Sequence, residues 1–507
     1  MPDNGVPPAR IAGIETAGVD RQTETRRPLI LAACLMATFM TAVESTIIAT
    51  AMPTIVGDLG GFSLFSWVFA IYLLTQAVSI PVYGRLADIH GRKPVFLIGA
   101  GLFLCGSTLC GFSQNMLALI GFRALQGFGA GAIQPIAATI LGDIYNPTER
   151  GKVQGLVSSV FGVSAVIGPS LGAFIIEHLS WPIVFWVNLP IGAAAMIMLS
   201  ILLRERVERR QHQIDWIGSL LLLIAVGTLM AALVQNASLS ILAQLILIFV
   251  GLATLAVLIL HERSIREPML PLELWRHRVI VTGSLGSCAA GAVMMGVSAF
   301  LPAYVQGAMG RSALAGGIVL GAMSVSWSLA SIVGARLMVR TTYRFVAILG
   351  ALALITGCGL LITLTPERGP AWAGLGSFVI GIGMGFSNTV FIVSIQASVP
   401  WRQRGAATSS SMFLRFIGQS LGAASCGAVL NATLSWLDPH ARYSADRMLD
   451  PTQRVGLSAA ETAHLTDLIA RSLHNAYFLT GLFSLLTLVI ALNLPAGLNP
   501  TRHASHD

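Results

Sequence analysis

Charge is what this 507-residue chain has least of: Asp, Glu, Lys and Arg together make up 11%, and its lysines are only Lys93 and Lys152. A soluble domain carries about 25% charged residues, so a water-solvated globule is excluded for most of the chain. Chemistry is scarce as well. No Gly-x-x-x-x-Gly-Lys-Ser/Thr phosphate loop is present, which excludes an ATP-driven machine with a motif of its own, and there is no His-Glu-x-x-His metal site. Cys34, Cys105, Cys110, Cys288, Cys358 and Cys426 all fall inside apolar runs without metal-ligand spacing. Buried thiols are therefore expected, with no cofactor and no metal. The polar stretch 1–28, with Arg10, Arg21, Arg26 and Arg27, leads into a full-length apolar run, so no cleavable signal peptide is expected.

Apolar length is what the chain has instead, with a hydrophobic fraction of 54% and a mean hydropathy of +0.75. A bilayer core of roughly 30 Å takes about 20 helical residues to cross. Fourteen runs qualify: 29–52, 66–86, 95–112, 116–142, 154–176, 183–203, 216–234, 240–260, 279–303, 312–335, 345–364, 371–397, 405–430 and 475–495. Runs this long exceed barrel strands, and lipid tolerates no open sheet edge, so the expected fold is an all-α integral membrane protein. The 52 glycines suit close helix packing.

The formal charge of +8 is not a nucleic-acid signal, because the arginines cluster at loop ends. Loops after even-numbered spans hold Arg85, Arg92 and Lys93; Arg150 and Lys152; Arg204, Arg206, Arg209 and Arg210; Arg263, Arg266, Arg276 and Arg278; Arg336, Arg340 and Arg344; and Arg402 and Arg404. Short loops after odd-numbered spans hold only Arg311 and Arg368. The positive-inside rule then predicts a multi-pass protein of the inner or plasma membrane with both termini cytoplasmic. The long loop 431–475 falls outside. In it, Ser458-Ala-Ala-Glu461 predicts a capping box opening an amphipathic helix that runs into the last span.

A repeat divides the chain. Ile167-Gly-Pro-Ser-Leu-Gly-Ala173 in span 5 recurs as Ile417-Gly-Gln-Ser-Leu-Gly-Ala423 in span 13, and Gly84 maps onto Gly334 at the same offset of 250 residues. Both pairs are eight spans apart. The expected organisation is a tail (1–28), a six-helix half (29–210), an inserted pair of spans (211–262), a second six-helix half (263–497) and a tail (498–507). Duplicated halves around a midplane site are a transporter architecture.

Inside the spans, ionisable groups are few and expensive. Glu44 is the only one between Pro28 and Gly57, and a carboxylate kept within a span usually carries protons or binds a cation. Arg123 in span 4 lies at about the same depth as Glu44, roughly 10–12 Å below the outer edge, so the two are expected to interact. A permanent pair would be structural; one that opens when Glu44 is protonated would be a coupling device, with Arg as the constant charge. Arg415 lies near mid-span 13 and could serve a proton path, bind an anion or bind helix carbonyls. Trp67 and Tyr72 in span 2, Gln126 in span 4, Asn388 and Gln396 in span 12, and Gln419 in span 13 are candidate cavity residues; Phe69 is another aromatic of span 2.

Two loops and helices carry motifs. Gly84-Arg-Leu-Ala-Asp88-Ile-His-Gly91-Arg92-Lys93 is a tight turn in which Asp88 can pair with Arg92 or cap a helix end. It resembles the signature loop of the major facilitator superfamily, which implies a cytoplasmic latch and gate between the halves. The corresponding Gly334-Ala-Arg-Leu-Met-Val-Arg340 has no acid. In span 5, Gly162, Gly168 and Gly172 permit close backbone approach and Pro169 bends the helix; this is similar to the motif that marks antiporters of that superfamily.

Together with Glu44-Ser-Thr-Ile-Ile-Ala-Thr-Ala-Met-Pro53, Trp181-Pro-Ile-Val-Phe-Trp-Val-Asn188-Leu-Pro190-Ile-Gly, Asp215-Trp-Ile-Gly218 and Glu267-Pro-Met-Leu-Pro-Leu, these motifs resemble the fourteen-span drug:proton antiporter family, the QacA/EmrB type. Where that family usually has Asp in span 1, this chain has Glu44. The resemblance implies a proton-coupled exporter of hydrophobic small molecules, cationic ones among them, working by alternating access with the proton gradient as its energy source. An exporter of an anionic or lipid-like metabolite, attracted by Arg415 and Arg123, is the alternative. A membrane enzyme would need a polar cluster at one membrane face, and only loop charges occur there. No feature indicates an accessory periplasmic subunit or a nucleic-acid partner.

Overall fold

Apolar runs become helices because lipid leaves the backbone no other way to satisfy its N–H and C=O groups. In the computed structural model, residues 26–145, 147–205, 215–234, 240–265, 274–399, 401–438 and 458–495 are described, and they contain no strand. Fourteen helices among them are long and apolar enough to cross a membrane. They are α1 (Arg27–Leu59), α2 (Phe65–His90), α3 (Arg92–Gly111), α4 (Met116–Ile144), α5 (Pro147–His178), α6 (Ile183–Leu202), α7 (Trp216–Val234), α8 (Ile241–Ser264), α9 (Arg278–Ala303), α10 (Ala313–Arg340), α11 (Tyr343–Ile362), α12 (Gly369–Ala397), α13 (Trp401–Leu437) and α14 (Ala459–Leu492). Each matches one expected run.

Helix ends follow local chemistry. Side chains of Asn115, Ser240, Ser312 and Thr342 accept from backbone N–H groups three residues on, starting α4, α8, α10 and α11. The capping box at Ser458 and Glu461 is present, and the helix it opens continues without a break into the last span. Gly91, at φ 95, makes the turn between α2 and α3 that other residues would resist. α1 runs to Leu59, past the apolar run that ended at 52, and carries Pro53 inside it. In α6, Pro190 denies the Trp186 carbonyl its helical donor, while Val187 keeps helical angles (φ −55, ψ −29). Asp215 accepts from the Gly218 N–H at 2.7 Å and lies 2.8 Å from His261 Nε2, which ties the start of α7 to the end of α8.

Packing repeats at the offset of eight helices. α1 packs on α4, α5 and α6, and α9 packs on α12, α13 and α14. α4 packs on α2 and α3, as α12 packs on α10 and α11. Across the seam, α2 meets α13 and α5 meets α10, two contacts that exchange under the same offset, while α1 meets α9. α7 lies against both α2 and α13, and α8 packs on α7. The duplicated glycines explain the pattern. A Cβ on Gly172 would stand 3.0 Å from Ile47 Cγ1 of α1, and one on Gly418 or Gly422 would run into the α9 backbone at Cys288 or Ala292.

The seam is fastened toward one face. Hydrogen bonds crossing it include Ser420 Oγ to the Ala70 carbonyl at 2.6 Å, Asn431 Nδ2 to the Ser63 carbonyl at 2.7 Å and Gln306 Nε2 to the Thr50 carbonyl at 3.1 Å. Phe65 and Phe300 stack across it with ring centroids 5.4 Å apart. All lie toward the face where α1 ends and α2 begins, away from the arginine-rich loops. Gly162 and Pro169 of α5 also sit on this seam, facing Ser328 and Gly317 of α10.

Candidate functional site

Glu44 lies in the middle of α1 with no exposed surface. Burying a carboxylate without partners is prohibitive, and three side chains from two other helices meet it. Arg123 Nη1 of α4 donates to Glu44 Oε1 at 2.5 Å, and Gln126 Nε2, one turn on, donates to the same oxygen at 2.9 Å. Asn188 Nδ2 of α6 donates to Oε2 at 2.5 Å. The donors are themselves held. Arg123 Nη1 also reaches Gln126 Oε1 at 2.7 Å, its Nε donates to the Val68 carbonyl at 3.3 Å, and its Cζ stands 4.0 Å over the Tyr72 ring. Asn188 Nδ2 reaches Ser107 Oγ of α3 at 3.0 Å, and Ser107 donates to the Phe185 carbonyl at 2.7 Å. One carboxylate thus ties together α1, α2, α3, α4 and α6.

The local sequence explains how. Gly127, Gly129 and Gly131 bring α4 against the backbones of α2 and α3, which carries Arg123 and Gln126 to the bundle interior. The pairing of Glu44 with Arg123 was legible in their depth, although the depth rested on an α1 ending at 52. Asn188 and Ser107 were not foreseen as partners. The signal available was a lone Asn beside Pro190 inside an apolar span, where an unpaired amide is expensive.

The expected cavity set separates in two. Tyr72 and Gln126 are buried with Arg123. Phe69 is likewise buried, in a ring stack with Phe65. Trp67 is half-buried with its indole N–H unpartnered. In the other half, Arg415 Nη1 donates to Asn388 Oδ1 at 3.3 Å, Gln396 donates to Thr408 at 3.1 Å, and Gln419 Nε2 has the Met294 sulfur at 3.6 Å.

The expected pairing of Asp88 is corrected. Asp88 is exposed, and Arg92 instead reaches Asp143 at 3.3 Å and Glu205 at 3.5 Å. α2 stays helical through His90, so Asp88 is carried away from the α3 start. Glu205 caps that start, accepting from the N–H groups of Arg92 and Lys93 at 2.9 and 3.1 Å. A Cβ at Gly84 would meet open space. Residues 267–272 lie outside the described residues, as do the side chains of Arg402 and Arg404.

Over residues 34–423 the sequence matches the Major Facilitator Superfamily. Multidrug resistance protein 3 of Bacillus subtilis is 35% identical over 81% of this chain and 80% of its own length. Multidrug transporter protein MdtP of the same organism is 34% identical over 81% of this chain and 76% of its own. A bacterial homolog of the human lysosomal transporter Spinster, solved in an inward-facing and unoccupied conformation, superposes with a TM-score of 0.67 over 94% of this chain and 97% of that one, at 17% identity.

Proposed function

We propose, from the premise that this chain belongs to the Major Facilitator Superfamily and to its multidrug efflux family, that it exports hydrophobic compounds in exchange for protons. The positive-inside rule supports placing the arginine-rich loops in the cytoplasm. On that orientation the fastened face is the outer one, and the structure is the inward-facing state.

The sealed carboxylate of Glu44, held by Arg123, Gln126 and Asn188, is the observation that carries the reading. Ionised, it neutralises Arg123 and accepts three N–H donors. Protonated, it leaves Arg123 without a counter-ion in a low-dielectric interior, a change large enough to alter how α1 packs. α1 is also part of the seam. Thr50, on the same helix, offers its carbonyl to Gln306, and a Cβ on Gly168 would stand 3.3 Å from the Val43 carbonyl beside Glu44. Proton occupancy at Glu44 is thereby joined to the fastening of the two halves. The loop with Gly84, Asp88, Gly91 and Arg92 is the proposed latch of the opposite state, in which Asp88 would find its partner. Each proton moved through 100 mV supplies about 2.3 kcal/mol and each pH unit about 1.4 kcal/mol, so one carboxyl drives a useful gradient.

Inverted membrane vesicles test this. Wild type accumulates a hydrophobic dye when a pH gradient, acid inside, is imposed. The Glu44→Gln/Arg123→Gln protein, which removes both charges together, shows no gradient-driven accumulation. Retained gradient dependence would sink the assignment.

A further inference from the structure

Arg415 is the charge the coupling network does not use. It sits on α13 five residues before Ser420, so roughly 7 Å on the arginine-rich side of the seal that Ser420 makes with Ala70. Its side chain makes one hydrogen bond, the 3.3 Å contact to Asn388, and its Nε is buried with no partner. The face of its guanidinium lies against Phe416, at 5.2 Å.

Among the described residues, no carboxylate is recorded against it. Between Arg278 and Leu437 the sequence holds a single acid, Glu367, and that lies in the loop before α12. Glu44 is committed to Arg123 and has no exposed surface. A guanidinium held inside a bilayer-spanning bundle is costly unless paired, and Arg cannot discard its charge. An acidic group on a bound ligand would supply the partner that no described residue provides.

We propose that Arg415, with Asn388, binds the acidic group of the transported molecule, which makes amphipathic organic acids (a carboxylate on a hydrophobic body) a substrate class of this exporter. A planar guanidinium with Nε unpartnered offers the geometry that two carboxylate oxygens accept. Asn388 holds one edge of the fork at Nη1 and keeps the side chain from turning onto helix carbonyls. Gln419, one turn on, has only the Met294 thioether on its amide nitrogen and can supply a further N–H donor. The position just beneath the seam seal suits a ligand whose binding is relayed to the closed side.

This inference rests on the exporter reading, and one pair of probes separates the two. Purified full-length protein in lipid nanodiscs is titrated with dansylundecanoic acid and with its methyl ester, both followed by dansyl fluorescence. Wild type binds the acid at least tenfold more tightly than the ester. Arg415→Gln loses about tenfold in affinity for the acid and less than twofold for the ester, and Arg415→Lys recovers part of the loss as a point charge. A wild type indifferent to the acid group, or an Arg415→Gln protein weakened equally for both probes or for neither, overturns the inference. Transport of the ester driven by a pH gradient would leave the exporter reading standing in that case. Arg415-dependent acid binding without gradient-driven transport would instead uphold the subsite and remove the exporter reading.

Discussion

Two arginines lie inside the membrane layer of this protein, one in each half, and they are solved in opposite ways. Arg123 in α4 has a carboxylate, an amide, a backbone carbonyl and a tyrosine ring around it. Arg415 in α13 has one 3.3 Å bond to an amide and a phenyl ring. The halves share their helix pairing, so the fold does not cause the difference. It comes from the acids: α1 contributes Glu44, whereas its counterpart α9 has no Asp or Glu at all. A duplicated scaffold thus holds an arginine paired with a carboxylate on one side and, on the other, an arginine with no described carboxylate against it.

The largest test of that contrast is stability. Arg123→Gln leaves Glu44 buried and unpaired and should cost about 3–5 kcal/mol, seen as a sharp fall in the thermal unfolding midpoint in detergent. Arg415→Gln abandons no internal partner ion, and the same measurement should show no loss beyond about 0.5 kcal/mol. Equal losses would mean that Arg415 has a structural counter-ion. The double variant Glu44→Gln/Arg123→Gln should recover most of the Arg123→Gln loss, because it leaves no orphaned charge.

Smaller changes refine the picture. Gly168→Val and Gly418→Val should each destabilise by about 1–3 kcal/mol through overpacking, against α1 and α9 respectively; a difference between them beyond that range would break the packing equivalence of the halves. Asn188→Ala removes one donor from Glu44 and should cost about 1–3 kcal/mol in the same assay. Gly84→Val is the smallest. With open space around it, unfolding should shift by no more than about 0.5 kcal/mol, while transport in vesicles falls if the Gly84–Arg92 loop closes as a latch.

Much of this was legible from residue order. Fourteen apolar runs, the offset linking Ile167–Ala173 to Ile417–Ala423, and the expected meeting of Glu44 and Arg123 all needed only hydropathy, sequence comparison and helix rise. What was not legible depended on which face a side chain takes within a close-packed bundle. Tyr72 and Gln126 read as cavity residues because polar and aromatic side chains in spans suit ligands, yet glycine-rich contacts along α4 drew both into the interior. Asp88 read as a partner of Arg92 or a cap for a helix end, but the helix continues through His90 and Glu205, more than a hundred positions away in sequence, both caps α3 and reaches Arg92.

By itself the sequence determined that the chain is helical, that it crosses the membrane fourteen times and that two costly charges sit in its two halves. Lipid enforces those outcomes locally: an apolar run has no alternative to a helix, and an ionisable group there is conspicuous. Only the tertiary structure decided the partners. Asn188 of α6 reaches Glu44, Ser107 steadies Asn188 from α3, and Arg415 has no described acid against it, because hydrogen bonds and ion pairs are set by distances of a few ångströms between segments that the sequence leaves far apart.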